Sequence, residues 1–267
     1  MQVEFAALCD SVIKIYWAES GEVHALKGID ASFPARAVTA IVGPSGSGKS
    51  SLLRILAGLD RPTAGSVLVG GEEITSLPPR KVHALRRSSI GFVFQRPSDN
   101  LVSDRNVIDH LEVAAKRRNR FVDHDELLDR LGLLHRRDHR PHQLSGGEQQ
   151  RVAFAQAVVG EPALVIADEP TAELDSASAA ELLNAVRDLT NLGTGFVIST
   201  HDPKVVEAAD ATLFLRHGAV EAETIHSRLS VIDGAGRIQL PPEALKLFPQ
   251  RRAELRIENG ELWIKPP

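Results

Sequence analysis

The run GPSGSGKSS at Gly43–Ser51 combines three glycines with a lysine and serines. Glycines let a backbone wind tightly, so that successive N–H groups converge on phosphate oxygens. Gly43, Pro44, Ser45, Gly46, Ser47, Gly48 and Ser51 would form this cradle. Lys49 sets a point charge beside the β- and γ-phosphates, and Ser50 offers a hydroxyl to Mg2+. A second glycine motif, LSGGEQQR at Leu144–Arg151, puts Ser145, Gly146, Gly147 and Glu148 at a helix start. Free N–H groups there make another anion site. Asp168 ends the apolar run LVIAD, where a carboxylate can hold Mg2+, and Glu169 follows as a base or positioning group for water. The Gln95 amide, after the apolar Gly91–Phe94, can touch both the metal and the attacking water, and His201 can hydrogen-bond the γ-phosphate. The catalytic set is therefore Glu169, His201 and Gln95, and the metal set Ser50, Gln95 and Asp168. Tyr16 offers a ring for adenine, with Trp17 as a rival stacker and edge-sheet packing as the competing role. One phosphate loop with two anion-binding helix starts is puzzling in a monomer. It resolves if the second start serves a neighbouring copy.

The elements around these residues follow from periodicity. Residues 3–33 alternate apolar and polar in short runs, as in an antiparallel edge sheet. Val38–Val42 reads as a buried strand, and Lys49–Ala57 as a helix with Leu52, Leu53 and Leu56 inward and Gly58 as its C-cap. The glycine loop thus has the strand–loop–helix setting that phosphate binding requires. Residues 96–160 read as a helical subdomain that begins charge-rich and ends in a helix over about Gly147–Val159. Its basic runs, Lys116–Arg120 and His135–Arg140, are expected on solvated helix faces. Beyond it, Leu164–Ala167 is a strand, Ser176–Thr190 a helix and Phe196–Ser199 a strand. Alternating strands and helices imply an α/β fold with a mainly parallel sheet. Ligands bind such sheets at the carboxyl ends of the strands, where the glycine loop, Asp168–Glu169 and His201 converge.

Composition narrows the function classes. The 267 residues carry a formal net charge of −4, which gives no support to nucleic-acid binding by the whole chain. A single cysteine, Cys9, rules out an intrachain disulfide and fits a reducing compartment. The first residues lack the basic flank and apolar run of a signal peptide. No apolar stretch reaches the roughly 20 residues of a membrane helix, so a spanning part would have to come from another chain.

Taken together, the ordered motifs of about Val3–Glu223 resemble the nucleotide-binding subunits of ABC transporters, over about four-fifths of the chain. In that resemblance Gly43–Ser51 is the Walker A loop, Gln95 the Q-loop residue and Leu144–Gln149 the signature. Asp168 is the Walker B aspartate, Glu169 the catalytic glutamate, Asp175 a nucleotide-contacting D-loop residue and His201 the switch histidine. FVFQ, LSGGEQQR and IADEPTAELD are most similar to the LolD/MacB/FtsE branch. The resemblance implies a P-loop NTPase fold with an antiparallel β subdomain and a helical subdomain, ATP and Mg2+ as cofactors, and ATP hydrolysis coupled to transport. It also implies an ATP-sandwich homodimer and an integral-membrane permease of the MacB type on a separate chain. The site would be cytoplasmic, peripheral on the inner face of the cell membrane. Two departures stand out: Ala172-Glu173 replaces the branch's usual Gly-Asn, and RPSDNLVSDRNV after Gln95 is shorter than usual where a permease would dock.

The sequence after the boundary changes texture. The reading is an ATP-binding domain at 1–223, a linker at 224–228 and a small β-rich domain at 229–267. VIDGAGRIQLPPEALKLF and AELRIENGELWIKP resemble the swapped-hairpin domains of the AbrB/MazE type, implying dimerisation or regulation. Seven Lys/Arg against five Asp/Glu from Arg228 onward are a thin basis for nucleic-acid binding. The alternatives are a non-transport ABC ATPase or a DNA-binding regulator acting through this segment. The absence of a long coiled-coil insertion between Lys49 and Ser145, and the presence of one motor domain rather than two, weigh against the former.

Overall fold

The computed structural model describes residues 5–18, 21–120, 122–225, 229–230, 254–258 and 261–265. Two long strands, β1 (Phe5–Ala18) and β2 (Gly21–Pro34), pair antiparallel through several bulges, and β4 (Ala64–Val69) and β5 (Glu72–Glu73) extend this sheet in the order β2-β1-β4-β5. The alternating pattern of the N-terminal region thus folds as a pair of long antiparallel strands.

The central sheet grows from apolar runs: β3 (Val38–Val42), β6 (Ile90–Val93), β7 (Leu164–Asp168), β8 (Gly195–Ser199), β9 (Ala211–Arg216), β10 (Ala219–Ile225) and β11 (Leu229–Ser230). Its order is β11-β10-β9-β3-β8-β7-β6. From β9 to β6 every pairing is parallel, whereas β10 and β11 join antiparallel. Strands covered on both faces need apolar residues at consecutive positions. Phe196 and Ile198 of β8, with Val165 and Ala167 of β7, enter one core. Val197, Leu164 and Ile166 enter the core on the other face.

Helix α1 (Lys49–Leu56) packs on the second face through Leu52, Leu53, Ile55 and Leu56, all at most 1% exposed. Each such burial contributes about 1.5–3 kcal/mol. The helix stops in a left-handed turn at Gly58, where the Gly58 N–H donates to Ile55 O and the Leu59 N–H to Arg54 O. Helix α2 (Pro79–Ser89) lies on the surface with only Leu85 buried. The helical subdomain comprises α3 (Val107–Arg118), α4 (His124–Arg130) and α5 (Gly146–Val158), with α5 packed on β6. Then α6 (Ser176–Thr190) matches its expected span, and α7 (Pro203–Ala208) follows β8.

One expectation needs correction. Arg118, in the basic run at the end of α3, does not face solvent. Its guanidinium donates to the carbonyls of Ala157, Val159, Ile90 and Arg87, tying α3 to the end of α5 and to β6. Burial lowers its pKa to about 10, which still leaves it cationic at neutral pH. In the second basic run Arg136 pairs with Glu148 and Arg137 with Asp125.

At the C-terminal end, β10 continues into the 224–228 stretch as far as Ile225. Strands β12 (Glu254–Glu258) and β13 (Glu261–Lys265) form an antiparallel hairpin. The rest of the β-rich segment expected at 229–267, including VIDGAGRIQLPPEALKLF from Val231 on, lies outside the described residues.

Candidate functional site

Adjacent parallel strands β3, β8, β7 and β6 deliver their loops to one edge of the sheet. At about 4.8 Å between strands, three intervals bring the outermost of these loops within roughly 15 Å. Val42 leads into the glycine loop, Ser199 into His201, Asp168 into Glu169, and Val93 through Phe94 into Gln95.

The glycine loop is built so that side chains are excluded at set points. A Cβ on Gly43 would lie 2.1 Å from Leu215 O and 2.7 Å from Ser47 Oγ, and one on Gly48 would lie 2.5 Å from Ala25 O. Gly48 also adopts φ +105° immediately before α1, a conformation suited to glycine. The loop therefore winds tightly into a helix N-terminus whose first N–H groups lack intrahelical partners. Lys49 curls back: its Nζ donates to Gly43 O at 2.6 Å and Pro44 O at 3.2 Å. Pro44, Ser45 and Gly46 are exposed at the loop's rim, while Ser47 is buried and its Oγ has no hydrogen-bond partner. Ser50 is exposed and Ser51 half-buried in the first turn of α1.

Asp168 and Glu169 are held by a residue that sequence reasoning missed. Ser199 Oγ donates to Asp168 Oδ1 at 2.5 Å, and the Glu169 N–H is shared between Ser199 O at 3.0 Å and Ser199 Oγ at 3.1 Å. Glu169 has φ +45°, a left-handed conformation that costs a non-glycine residue about 1–3 kcal/mol unless its surroundings impose it. The Ser199 clamp supplies that constraint. A fully buried serine at a strand end resembles core filling, so only its hydrogen bonds identify it. His201 Nδ1 lies 2.6 Å from Glu169 Oε2, joining two of the three expected catalytic side chains. Gln95 is exposed just beyond β6. The backbone leading to it is braced by Asn100, whose Nδ2 donates to Phe92 O at 2.8 Å and whose Oδ1 accepts from the Phe94 N–H at 2.9 Å.

The second glycine motif opens α5. Ser145 Oγ accepts from the Glu148 N–H, and a Glu148 carboxylate oxygen accepts from the Ser145 N–H, closing a capping box. Arg136 Nε donates to the same carboxylate at 2.8 Å. Burial pushes the Glu148 carboxyl up, but Ser145 and Arg136 together outweigh it and hold the group below the usual range. Both polar ends of Glu148 are thus engaged within the chain, so it shapes the helix start. Ser145 and Gly146 remain exposed, and the serine hydroxyl keeps its own proton to donate. A Cβ on Gly147 would lie 2.9 Å from Ser178 Cβ on α6, whereas Gly146 has only an ordinary contact at 3.9 Å. Among the described residues, no hydrogen bond or ion pair joins Gly43–Ser51 to Ser145–Glu148.

Two other expected contacts are engaged elsewhere. Asp175 caps α6, accepting from the N–H groups of Ala177 and Ser178 and from Ser178 Oγ. The Ser178 N–H and hydroxyl and the Ala177 N–H hold its carboxyl low. The Tyr16 hydroxyl lies 2.9 Å from Asp60 Oδ2, and Lys14 Nζ sits 4.8 Å from its ring centroid. Trp17, the next residue, is 80% exposed. Of the sequence departures, Glu173 pairs with Arg96 at 3.6 Å, next to Gln95.

The residues present fit a Mg2+–triphosphate. The cradle admits no Cβ at Gly43 or Gly48, and Ser50 Oγ with the Asp168 carboxylate are the hard oxygen donors that Mg2+ prefers.

Comparison with known proteins agrees with this geometry. Residues 26–172 match the ABC transporter family. An ABC transporter ATP-binding protein of Thermotoga maritima is 42% identical over 217 residues, covering 79% of this chain and 91% of that protein. The lipoprotein-releasing system ATP-binding protein LolD of Shewanella sp. (strain MR-4) is 40% identical over 195 residues, 71% of this chain and 84% of LolD. The macrolide export ATP-binding/permease protein MacB of Hyphomonas neptunium is 39% identical over 221 residues, and the chain spans 34% of its length. The dimeric ATP-binding cassette MJ0796, solved in a post-hydrolysis state bound to ADP and Pi, superposes with a TM-score of 0.74 at 31% identity, covering 84% of this chain and all of that one. The phosphate loop after β3, His201 after the adjacent β8 and the Asp168–Glu169 pair at the end of β7, in a fold shared with such a cassette, place the chain in the ABC transporter family as an ATP-binding subunit that hydrolyses ATP with Mg2+.

Proposed function

We propose that two copies of this chain sandwich two ATP molecules and that the closing and opening of the pair drive a separate membrane permease of the MacB type. The observation that carries this reading is the signature helix start. Ser145 and Gly146 are preformed and exposed, yet nothing bonds them to the chain's own phosphate loop. A second copy's loop is the anion they suit. The LolD and MacB relatives favour a permease partner, and no helix of the described residues is long and apolar enough to cross a membrane. The site is then cytoplasmic, at the inner face of the membrane.

The residues divide the work as follows. The loop from Gly43 to Ser51 aims its N–H groups at the phosphates, and Lys49 turns outward from the Gly43 and Pro44 carbonyls to meet them. Ser50 and Asp168 would hold Mg2+, which when bound offsets phosphate charge; Gln95 stands where it can contact it. Glu169 accepts the proton of the attacking water, with His201 fixing one carboxylate oxygen and Ser199 fixing the backbone. Ser145, Gly146 and Gly147 of the second copy close over the γ-phosphate. Asp175 shapes the seam as a helix cap, and Tyr16 or the more open Trp17 supports the adenine.

In this reading the motor domain ends near residue 223, and residues 229–267 form a second dimerising or regulatory unit of the AbrB/MazE type. The β12–β13 hairpin favours that reading. Glu169→Gln, in a chain lacking residues 231–267 and so keeping β10 and β11, tests the motor: turnover should fall by about 10²–10⁴-fold while ATP stays bound. Light scattering should then find an ATP-dependent dimer. Full turnover in this variant would remove Glu169 as the base.

A further inference from the structure

Ser199 ends β8 in the middle of the central sheet. The parallel registers pair it with Asp168 of β7 on one side and with Ile41 of β3, two residues before Gly43, on the other. The next residue pins this strand end: the Thr200 N–H donates to Ile41 O at 3.0 Å, and Thr200 Oγ1 accepts from the Asp202 N–H at 2.9 Å. Ser199 is fully buried, so its hydroxyl must find its partners within the chain. It has one proton to give. The Glu169 N–H can only donate, so it takes a lone pair of Ser199 Oγ. The Asp168 carboxylate can only accept, so the hydroxyl proton goes to its Oδ1. The bonds therefore run in one direction, from the Glu169 backbone through Ser199 to Asp168.

This arrangement treats the two oxygens of Asp168 unequally. Oδ1 is spent on Ser199, whereas among the described residues no hydrogen bond or ion pair engages Oδ2. A carboxylate held in this way meets a cation through one oxygen. That suits Mg2+, which demands near-octahedral geometry from a small number of carboxylates, better than Ca2+, which readily takes both oxygens of one carboxylate. Partners that orient a ligating side chain in this manner tune the metal it holds. The Glu169 N–H has a second acceptor, Ser199 O at 3.0 Å, which any side chain at position 199 leaves in place. Loss of the hydroxyl would therefore release Asp168 Oδ1 and leave the Glu169 backbone still bonded.

We propose that Ser199 is a positioning residue that, by occupying Asp168 Oδ1, commits the site to a one-oxygen carboxylate ligand and so to Mg2+ over Ca2+. The proposal rests on the reading of Asp168 as a metal ligand and adds what sets the choice of metal. The test uses the full chain and a fluorescent ATP analogue, whose affinity is measured in excess Mg2+, in excess Ca2+ and in EDTA. In Ser199→Ala the Mg2+ complex should bind about 10–100-fold more weakly than in the wild type. The Ca2+ complex should lose less, narrowing the preference, and binding in EDTA should be unchanged. Ser199→Cys nearly keeps the side-chain volume but offers only a weak donor. It should show the same narrowing, which ties the effect to the donated proton rather than to packing, and it carries the measurement if the alanine chain does not fold. Thermal unfolding without nucleotide reports folding. A wild-type Mg2+-to-Ca2+ preference in the folded variants would overturn the proposal. So would an equal loss in Mg2+, Ca2+ and EDTA, which marks a purely structural residue. Asp168→Asn separates the two levels. If it keeps the wild-type response to Mg2+, the metal reading of Asp168 fails; if it loses that response while the Ser199 variants match the wild type, only the role of Ser199 fails.

Discussion

The phosphate loop before α1 and the signature turn before α5 are both helix starts aimed at anions, yet they are built by opposite means. At the first, backbone geometry excludes side chains: Gly43 and Gly48 have carbonyl oxygens where a Cβ would stand, and the only cation, Lys49, is tethered to the loop itself. At the second, side chains do the shaping. Ser145 and Glu148 cap each other, Arg136 anchors Glu148, and the exposed Gly146 has room for a side chain. In the proposed sandwich, this cradle and this open lip, whose Arg136 is already paired with Glu148, would be complementary parts of one enclosure. On that proposal the difference assigns nucleotide affinity to the first site and the meeting of two copies to the second.

Substitutions that separate affinity from closure would sharpen this contrast. The largest effect is expected from Gly146→Asp. It adds a carboxylate where phosphate must approach, at a position with space for it and at a helix end that favours negative charge. Turnover should be abolished while monomer stability and fluorescent-ATP binding stay unchanged; a parallel loss of binding would break the contrast. Lys49→Ala should instead lose binding together with turnover, weakening ATP binding by about 1.5–3 kcal/mol, roughly tenfold or more, by titration. Gly48→Ala should destabilise the fold by about 1–3 kcal/mol in thermal or urea unfolding, since the new Cβ meets Ala25 O in a strained conformation. Ser145→Ala removes a helix cap and should cost about 1 kcal/mol by the same measurement.

The smallest effect is a pH dependence. The Glu148 carboxyl is held low in the folded state, so its stabilisation is complete above the unfolded glutamate value of about 4.3 and fades as pH falls through the lower folded value. The stability gap between wild type and Glu148→Gln should therefore be present at neutral pH and close below about pH 4.3, measured by unfolding across that range. A gap that persists at full size into acid would mean that the capping box contributes without its charge.

Much of this contrast is legible in the residues themselves. Strands buried on both faces must be apolar throughout, which exposes β3, β7 and β8, and the glycine loop follows β3 directly. Helix α6 begins at Ser176 because Asp175 is a strong N-cap, and that local signal is as visible in sequence as in structure. Contacts between distant segments are another matter. Ser199 clamps Asp168 and Glu169 from the neighbouring strand, which only the parallel pairing of β7 and β8 reveals. Tyr16 and Asp60 meet through the hairpin's docking beside α1, and Arg118 reaches into carbonyls that free helix and strand ends leave open. Charge alone marks Arg118 as a surface residue; the unpaired carbonyls that draw it inward are invisible until the chain has folded.

Mixing Lys49→Ala and Gly146→Asp chains tests the shared pocket most directly. Alone, each variant has every pocket spoiled. In a mixed dimer, the loop of the Gly146→Asp chain faces the intact signature of the Lys49→Ala chain, so one pocket is restored and ATP turnover should reappear on mixing. Turnover that stays at the level of the separate variants, although mixed dimers form, would contradict a pocket assembled from two copies.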